Sequence, residues 1–158
     1  MKKYELTGEV KVKFGVTFKR IRALIDFGNV KKGELGGFIE KEENLSHENN
    51  AWVYDDAWVY GDARVYDHAR VYGDARVSGN AEVSGNADYV LIGRVGSRFG
   101  FTTFFRNKNN EIYVSCGCFL GTLAKFRKKV KETHGTDTKY AKVYQAAADL
   151  AEMQILNK

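Results

Sequence analysis

Residues 51–86 repeat every six positions, as AWVYDD, AWVYGD, ARVYDH, ARVYGD, ARVSGN and AEVSGN. Ala stands at 51, 57, 63, 69, 75 and 81, and Val at 53, 59, 65, 71, 77 and 83. A fixed period constrains the fold more than local propensity does. Ala and Val two apart face one side of a short strand, and residues such as Trp52 and Tyr54 face the other. The pairs that follow, Gly61-Asp62 or Gly79-Asn80, turn the chain. Six residues are too few for an amphipathic helical repeat. A chain that turns this often and hides a valine each time must wind into a coil. Stacked coils then pair their backbones around one Val/Ala core.

The order in Val53-Tyr54-Asp55-Asp56-Ala57-Trp58, aliphatic first and small fifth, resembles the hexapeptide repeat of left-handed parallel β-helices. That resemblance implies three hexads, eighteen residues, per coil. Counting eighteen back from Val53 reaches Leu35, and from Ala57 reaches Ile39; counting forward from Val71 reaches Tyr89. An irregular first coil (35–52), two regular coils (53–70 and 71–88) and a closing strand are expected.

The same offset sets Trp52 beside Arg70, Trp58 beside Arg76 and Tyr54 over Tyr72, the first two as cation–π pairs. Trp52, Tyr54, Trp58, Tyr60, Arg64, Tyr66, Arg70, Tyr72 and Arg76 then make an outward surface larger than a monomer leaves bare. They are the expected oligomer interface, with a homotrimer implied by the resemblance. The alternative is that the ladders pack on themselves under cover of the terminal segments.

Ahead of the repeat, residues 9–24 alternate as a hairpin does, with Val10, Val12 and Phe14, then Val16, Phe18, Ile21 and Leu24, and Gly15 in the turn. Asp26-Phe27, Val30-Lys31-Lys32-Gly33, Gly36-Gly37, Asn44-Leu45-Ser46 and Trp52-Val53-Tyr54-Asp55 follow in that order. This succession is similar to the start of bacterial and phage hexapeptide proteins of the transferase type, over about residues 3–88. Residues 1–34 are read as a β-cap over the first coil's open edge. Gly36-Gly37 reads as a tight turn, with a phosphate cradle as the other possibility.

Behind the repeat, 101–106 and 111–115 read as strands around the turn 107–110. Thr122 caps a helix to about His134, stopped by Gly135, with Leu123, Phe126 and Val130 apolar. A second helix runs from about Asp137 to Leu156, with Tyr140, Val143, Ala147, Leu150 and Met153 facing inward. Gly96-Ser97-Arg98, Thr102 to Arg106, Val114-Ser115-Cys116-Gly117-Cys118-Phe119 and Gly121-Thr122-Leu123 together resemble a module of phage and prophage proteins, over about 93–150. The fold expected is mainly β with C-terminal α: a short left-handed parallel β-helix (35–92) between the cap (1–34) and a ββαα module (93–158).

Chemistry is sparse. The Gly-Thr pair at a helix start offers N–H groups and a hydroxyl to an anion. Ser97, Arg98, Thr102, Thr103, Phe105, Arg106, Gly121 and Thr122 are the candidate site for a phosphate-bearing ligand, with a phenylalanine to stack a base. The competing reading is an ordinary N-cap with surface arginines. Cys116-Gly117-Cys118 lacks the second pair that zinc needs, so two small buried residues are expected and no metal. The resemblance to hexapeptide acyltransferases makes His68 a candidate general base, against a plain solvent-exposed turn histidine.

Charge is uneven: residues 1–34 carry nine Lys/Arg and four Asp/Glu, 35–88 four and eleven, and 89–158 twelve and five. The acidic repeat argues against a nucleic-acid partner despite a sequence pI near 9.1. No run of 18 apolar residues occurs, so no membrane span is expected, and two cysteines make no disulfide framework. The expectation is a cytoplasmic, non-catalytic binding protein of phage type without a cofactor. It would sequester a phosphate-bearing nucleotide signal or block a host defence protein. A coenzyme A-dependent acyltransferase and a structural spacer are the alternatives.

Overall fold

In the computed structural model, which describes residues 1–156, the first strands are β1 (Tyr4–Lys13), β2 (Val16–Ala23) and β3 (Leu35–Ile39). Six two-residue strands then carry the repeat: β4 (Trp52–Val53), β5 (Trp58–Val59), β6 (Arg64–Val65), β7 (Arg70–Val71), β8 (Arg76–Val77) and β9 (Glu82–Val83). Parallel pairing joins strands eighteen residues apart, Trp52 with Arg70, Trp58 with Arg76 and Arg64 with Glu82. The repeat is thus a β-solenoid with three short strands per coil. Val53 and Val71, Val59 and Val77, and Val65 and Val83 stack in three columns, all at 0% exposure. The six repeat alanines lie buried beside them.

The corners explain the Gly/Asp alternation. At five of them the first turn residue, Asp55, Gly61, Asp67, Gly73 or Gly79, has a positive φ. Glycine enters that region freely, and aspartate is among the few other residues that visit it. The Asp55 carboxylate also accepts a bond from Gly73 N at 3.1 Å, one coil on.

The first coil departs from the eighteen-residue count. Phe38 pairs with Trp58, Ile39 with Val59, and Leu45 bridges Val65, each twenty residues apart. The two extra residues sit in the corner between Leu45 and Val53. Ser46 N donates to Val65 O, whereas Trp52 N donates to Ala69 O, so the offset shortens by two inside this corner.

Gly36 and Gly37 form neither a turn nor an anion cradle. Both are buried strand residues of β3. A Cβ on Gly36 would stand 2.6 Å from Val53 O, and one on Gly37 2.6 Å from Ala57 O. The absence of side chains lets β3 lie directly on the solenoid's first corner. Gly37→Ala is therefore expected to cost about 3 kcal/mol, the upper part of the overpacking range, because backbone has to move. Urea unfolding followed by tryptophan fluorescence checks this, since both tryptophans lie in this part of the chain.

The N-terminal hairpin extends one solenoid face in the order β1-β2-β3-β5-β8. Rings of the hairpin and of the segment after it cover the tryptophans. Phe18 stacks on Trp58 at 4.9 Å, while Tyr4 and Phe27 meet Trp52 edge-on at 6.2 and 5.2 Å. Trp52 is 0% and Trp58 8% exposed. The expected outward aromatic surface is corrected at these two positions: the cap buries them within the chain. By contrast Val10, Val12 and Phe14, at the hairpin tip, are exposed.

The chain divides after Asn86 into two compact units. The second opens with β10 (Tyr89–Val95), followed by β11 (Gly100–Arg106), β12 (Ile112–Cys116) and β13 (Phe119–Thr122). They form an antiparallel sheet in that order, so the module is ββββαα where two strands were expected. Tyr89 pairs antiparallel with Phe105 and does not close the spiral.

Helices α1 (Leu123–His134) and α2 (Lys139–Leu156) pack on the sheet through Phe104, Val114, Leu123, Phe126 and Val130 with Ala141, Tyr144, Ala148, Ala151 and Ile155. The expected inner face of α2 is wrong by one position around the helix. Of its five residues only Ala147 is buried, and Leu150 and Met153 face solvent. A stripe of alanines lets the helix approach more closely than Leu and Met would. No helix among the described residues is long and apolar enough to cross a membrane.

Candidate functional site

On the solenoid exterior the ladders run as the offset requires. Arg76 lies over the Trp58 ring at 4.9 Å, and Arg20 and Lys11 lie over Phe38 at 4.4 and 4.5 Å. Tyr54 and Tyr72 stack at 4.5 Å with planes 12° apart, and Tyr72 remains 40% exposed. Burial raises the Tyr54 phenol above its usual value, with the Tyr72 phenol adding to it. On another face Arg64 is exposed over the Tyr66 ring at 5.5 Å. Burial first, then the Glu82 carboxylate, raises the Tyr66 phenol. Of the nine ladder residues, Tyr54, Tyr60, Arg64, Tyr66, Arg70, Tyr72 and Arg76 keep solvent access.

The enlarged corner at 46–50 holds a cluster that reading the repeat did not bring out. Lys3 is 1% exposed, and its ammonium donates to Ala51 O at 2.6 Å, Asn49 O at 3.3 Å and Glu48 O at 3.5 Å. The Phe27 ring lies 4.7 Å away. Tyr4 Oη donates to Leu45 O at 2.7 Å and its ring stacks on His47 at 4.1 Å. Lys3 N donates to His47 Nδ1 at 3.1 Å, so the neutral imidazole carries its proton on Nε2, facing Glu42 at 3.8 Å. Burial, with the Lys2 and Lys3 charges, lowers the His47 pKa against the pull of Glu42. With Nδ1 occupied and Nε2 protonated, His47 has no free lone pair for base catalysis. Its role is to fasten the N-terminus to the corner.

Burial lowers the Lys3 pKa from 10.5 to about 8. Between those values the unfolded chain holds a proton that the fold does not, so stability rises with pH across the window. His47, lowered from 6.5, is neutral in both states there. Tyr4 acts in the opposite sense only from about pH 10, where its unfolded phenol ionises and its raised folded phenol does not. Urea midpoints are expected to climb from about pH 8 to about pH 9.5, and Lys3→Met should flatten that slope.

The candidate phosphate site of the second unit does not assemble as expected. Phe105 is 0% exposed, with its ring 6.2 Å from Tyr113, and cannot stack a base. Arg106 Nε donates to the buried Asp88 carboxylate at 2.9 Å, and its other nitrogens donate to Asn110 Oδ1 and Ile155 O. Thr102 and Thr103 are buried, and Thr102 Oγ1 donates to Cys116 Sγ at 3.2 Å.

Thr122 Oγ1 accepts from Lys125 N at 3.3 Å, an ordinary N-cap. Gly121 lies under the Phe119 ring. Ser97 N donates to Tyr144 Oη at 3.1 Å, and Arg98 is exposed beside Gly117. Interior packing draws Thr102, Thr103 and Phe105 away from any ligand, and Arg106 is held by a charge that local sequence did not reveal. The cysteines are not both buried: Cys116 is half-buried and Cys118 exposed, because the motif spans a hairpin turn.

His68 is exposed at a corner, and no hydrogen bond or ion pair among the described residues orients its ring. His134 lies against Tyr140 and Tyr144 at 5.8 and 5.7 Å. Among the described residues no group of three or more His, Cys, Asp or Glu is placed to hold a metal ion.

Residues 63–77 match the YdcK Beta solenoid repeat. A stretch of 63 residues is 36% identical to "Uncharacterized acetyltransferase YdcK" of Escherichia coli (strain K12), covering 35% of this chain and 19% of that protein. The chain therefore spans about a fifth of the curated relative it matches. Together with the eighteen-residue ladders, these likenesses support a β-solenoid of the hexapeptide-repeat-like kind.

Proposed function

We propose that this protein is a non-catalytic binding protein whose solenoid exterior recognises another protein. The observation that carries the reading is the Tyr54–Tyr72 stack, already ordered and still partly exposed on the face that bears Arg70. Tyrosine and arginine dominate protein-binding hot spots, and rings stacked beforehand lose little freedom on binding. Elsewhere three of the groups able to do chemistry are committed: Arg106 to Asp88, His47 to Lys3, Lys3 to three carbonyls. The phage-type resemblance of the second unit supplies the class of partner, a protein of the bacterial host, with a defence protein tested first. On this reading the coil is left-handed, as in the hexapeptide proteins it resembles.

The YdcK likeness favours a second reading, an acyltransferase using coenzyme A with His68 as base. One experiment separates the two. Acetyl-coenzyme A at a hundredfold excess over its Kd would stabilise an acyltransferase by about 2.7 kcal/mol. The binding reading expects no such shift, no acetyl transfer, and loss of partner capture in Tyr54→Ala/Tyr72→Ala with the fold retained. Stabilisation together with a turnover that His68→Ala abolishes would establish the enzyme.

A further inference from the structure

We propose that the Cys116-Gly117-Cys118 turn is a thiol–disulfide exchange site, which reacts with an anionic low-molecular-weight disulfide and closes into an intrachain Cys116–Cys118 bond. These are the chain's two cysteines, so no other intrachain partner competes. Cys116 pairs with Phe119 across β12 and β13, which leaves Gly117 and Cys118 as a two-residue hairpin loop. Gly117 has φ +57°, the sign that such loops take at their first position. Two Cα atoms two residues apart stand at most about 7 Å from each other, and a tight loop brings them closer. The window for a disulfide is about 4.4–6.8 Å, so the loop meets the backbone requirement. Closed in so short and exposed a loop, the bond is of the labile class that exchanges readily with small thiols.

Exposure divides the work between the two sulfurs. Cys118 is exposed, whereas Cys116 is half-buried beside the core of the second unit. Thr102 Oγ1 donates to Cys116 Sγ at 3.2 Å, which holds that sulfur in place. Apart from its chain neighbours, a Cβ on Gly117 would meet nothing nearer than Arg98 Nη1, at 4.0 Å. One face of the loop is therefore open, and a guanidinium stands over it. Such a group favours a co-reactant that carries carboxylates, as oxidised glutathione does. The Cys118 thiolate attacks one sulfur of that disulfide, breaks its S–S bond and expels one glutathione thiolate. The Cys116 thiolate then attacks Cys118 Sγ, expels the second glutathione thiolate and closes the ring. The two cysteine protons end on the two released glutathiones. The cysteine pair loses two electrons, and the external disulfide gains them.

The test uses the full chain, reduced and then freed of reductant. With oxidised glutathione both free thiols should disappear and the intact mass should fall by two hydrogens, with the chain still a single 17.9 kDa copy. Excess reduced glutathione should return both thiols. Cys116→Ser should stop at a glutathione adduct on Cys118. Cys118→Ser should form its adduct several-fold more slowly, because the remaining sulfur is half-buried. Arg98→Ala should slow the reaction with oxidised glutathione several-fold and leave the rate with uncharged 2-hydroxyethyl disulfide unchanged. Helical circular dichroism checks that each variant is folded. None of these readouts involves Tyr54, Tyr72 or partner capture, so the result is independent of the recognition surface proposed above. Thiols that stay free, a wild-type adduct that never closes, disulfide-linked pairs of chains as the main product, or an Arg98→Ala change that affects both disulfides alike would each overturn the proposal.

Discussion

Arg106→Met is expected to destabilise the second unit by about 3–5 kcal/mol, the cost of taking the arginine out of a buried ion pair. Asp88 is 1% exposed, and the Arg106 guanidinium donates to it at 2.9 Å from a side chain 13% exposed. The same guanidinium donates to the carbonyl of Ile155, so it also holds the last turn of α2. A carboxylate at this depth that loses its guanidinium has two ways out: protonation at a raised pKa, or local opening. Both cost stability at neutral pH. Asp88→Asn placed on the Arg106→Met background should recover much of the loss, because no buried charge then remains. Helical circular dichroism during urea unfolding reads the change, since α1 and α2 both lie in this unit. Loss below about 1 kcal/mol, the range of a surface pair, would mean that the pair is solvated.

Trp52→Ala is expected to cost a further 3–5 kcal/mol, in the first unit, as for other buried aromatic truncations. Tyr4 and Phe27 close over Trp52 edge-on, and the cavity left between cap and coil cannot collapse without moving both. Its indole N–H is buried with no acceptor among the described residues. Trp52→Phe should therefore lose clearly less, because a desolvated donor goes with the ring. Tyr72→Ala offers the contrast. Its ring is partly exposed and its stack on Tyr54 is of the kind worth about 0.5–1.5 kcal/mol. Tryptophan fluorescence during urea unfolding distinguishes the two outcomes. A small loss for Trp52→Ala would mean that the cap does not clamp the coil, and the buried-tryptophan correction would fail with it.

How far sequence reaches is clear from individual residues. Val53 to Val83 announce the columns because a six-residue period admits one way of hiding a valine each turn. Trp58 over Arg76 and Tyr54 over Tyr72 then follow from arithmetic. The two residues added at the first corner do not, because they are accommodated by Lys3, more than forty positions away. Trp52 illustrates the same limit: its outward direction follows from the period along the strand, whereas its burial depends on Tyr4 and Phe27. In α2 the helical period is legible in the sequence and the phase is not. Apolar residues occupy nearly the whole circumference, and close approach chose alanine over leucine. The phosphate-site expectation failed at Arg106 because a buried partner, Asp88, is invisible to a reading of local motifs. No neighbouring residue announces it.

Each solenoid strand takes its parallel partner from the coil before or after it, so nothing in the ladder records how many coils there are. Length is thus a free variable of this architecture. Tandem duplication of residues 53–70 would splice in one more storey without changing a residue of the hairpin before it or of the sheet that follows in the chain. Its own valines and corner glycine would supply everything the new storey needs. Evolution, or a protein engineer, can lengthen such a solenoid like a telescope, one storey at a time.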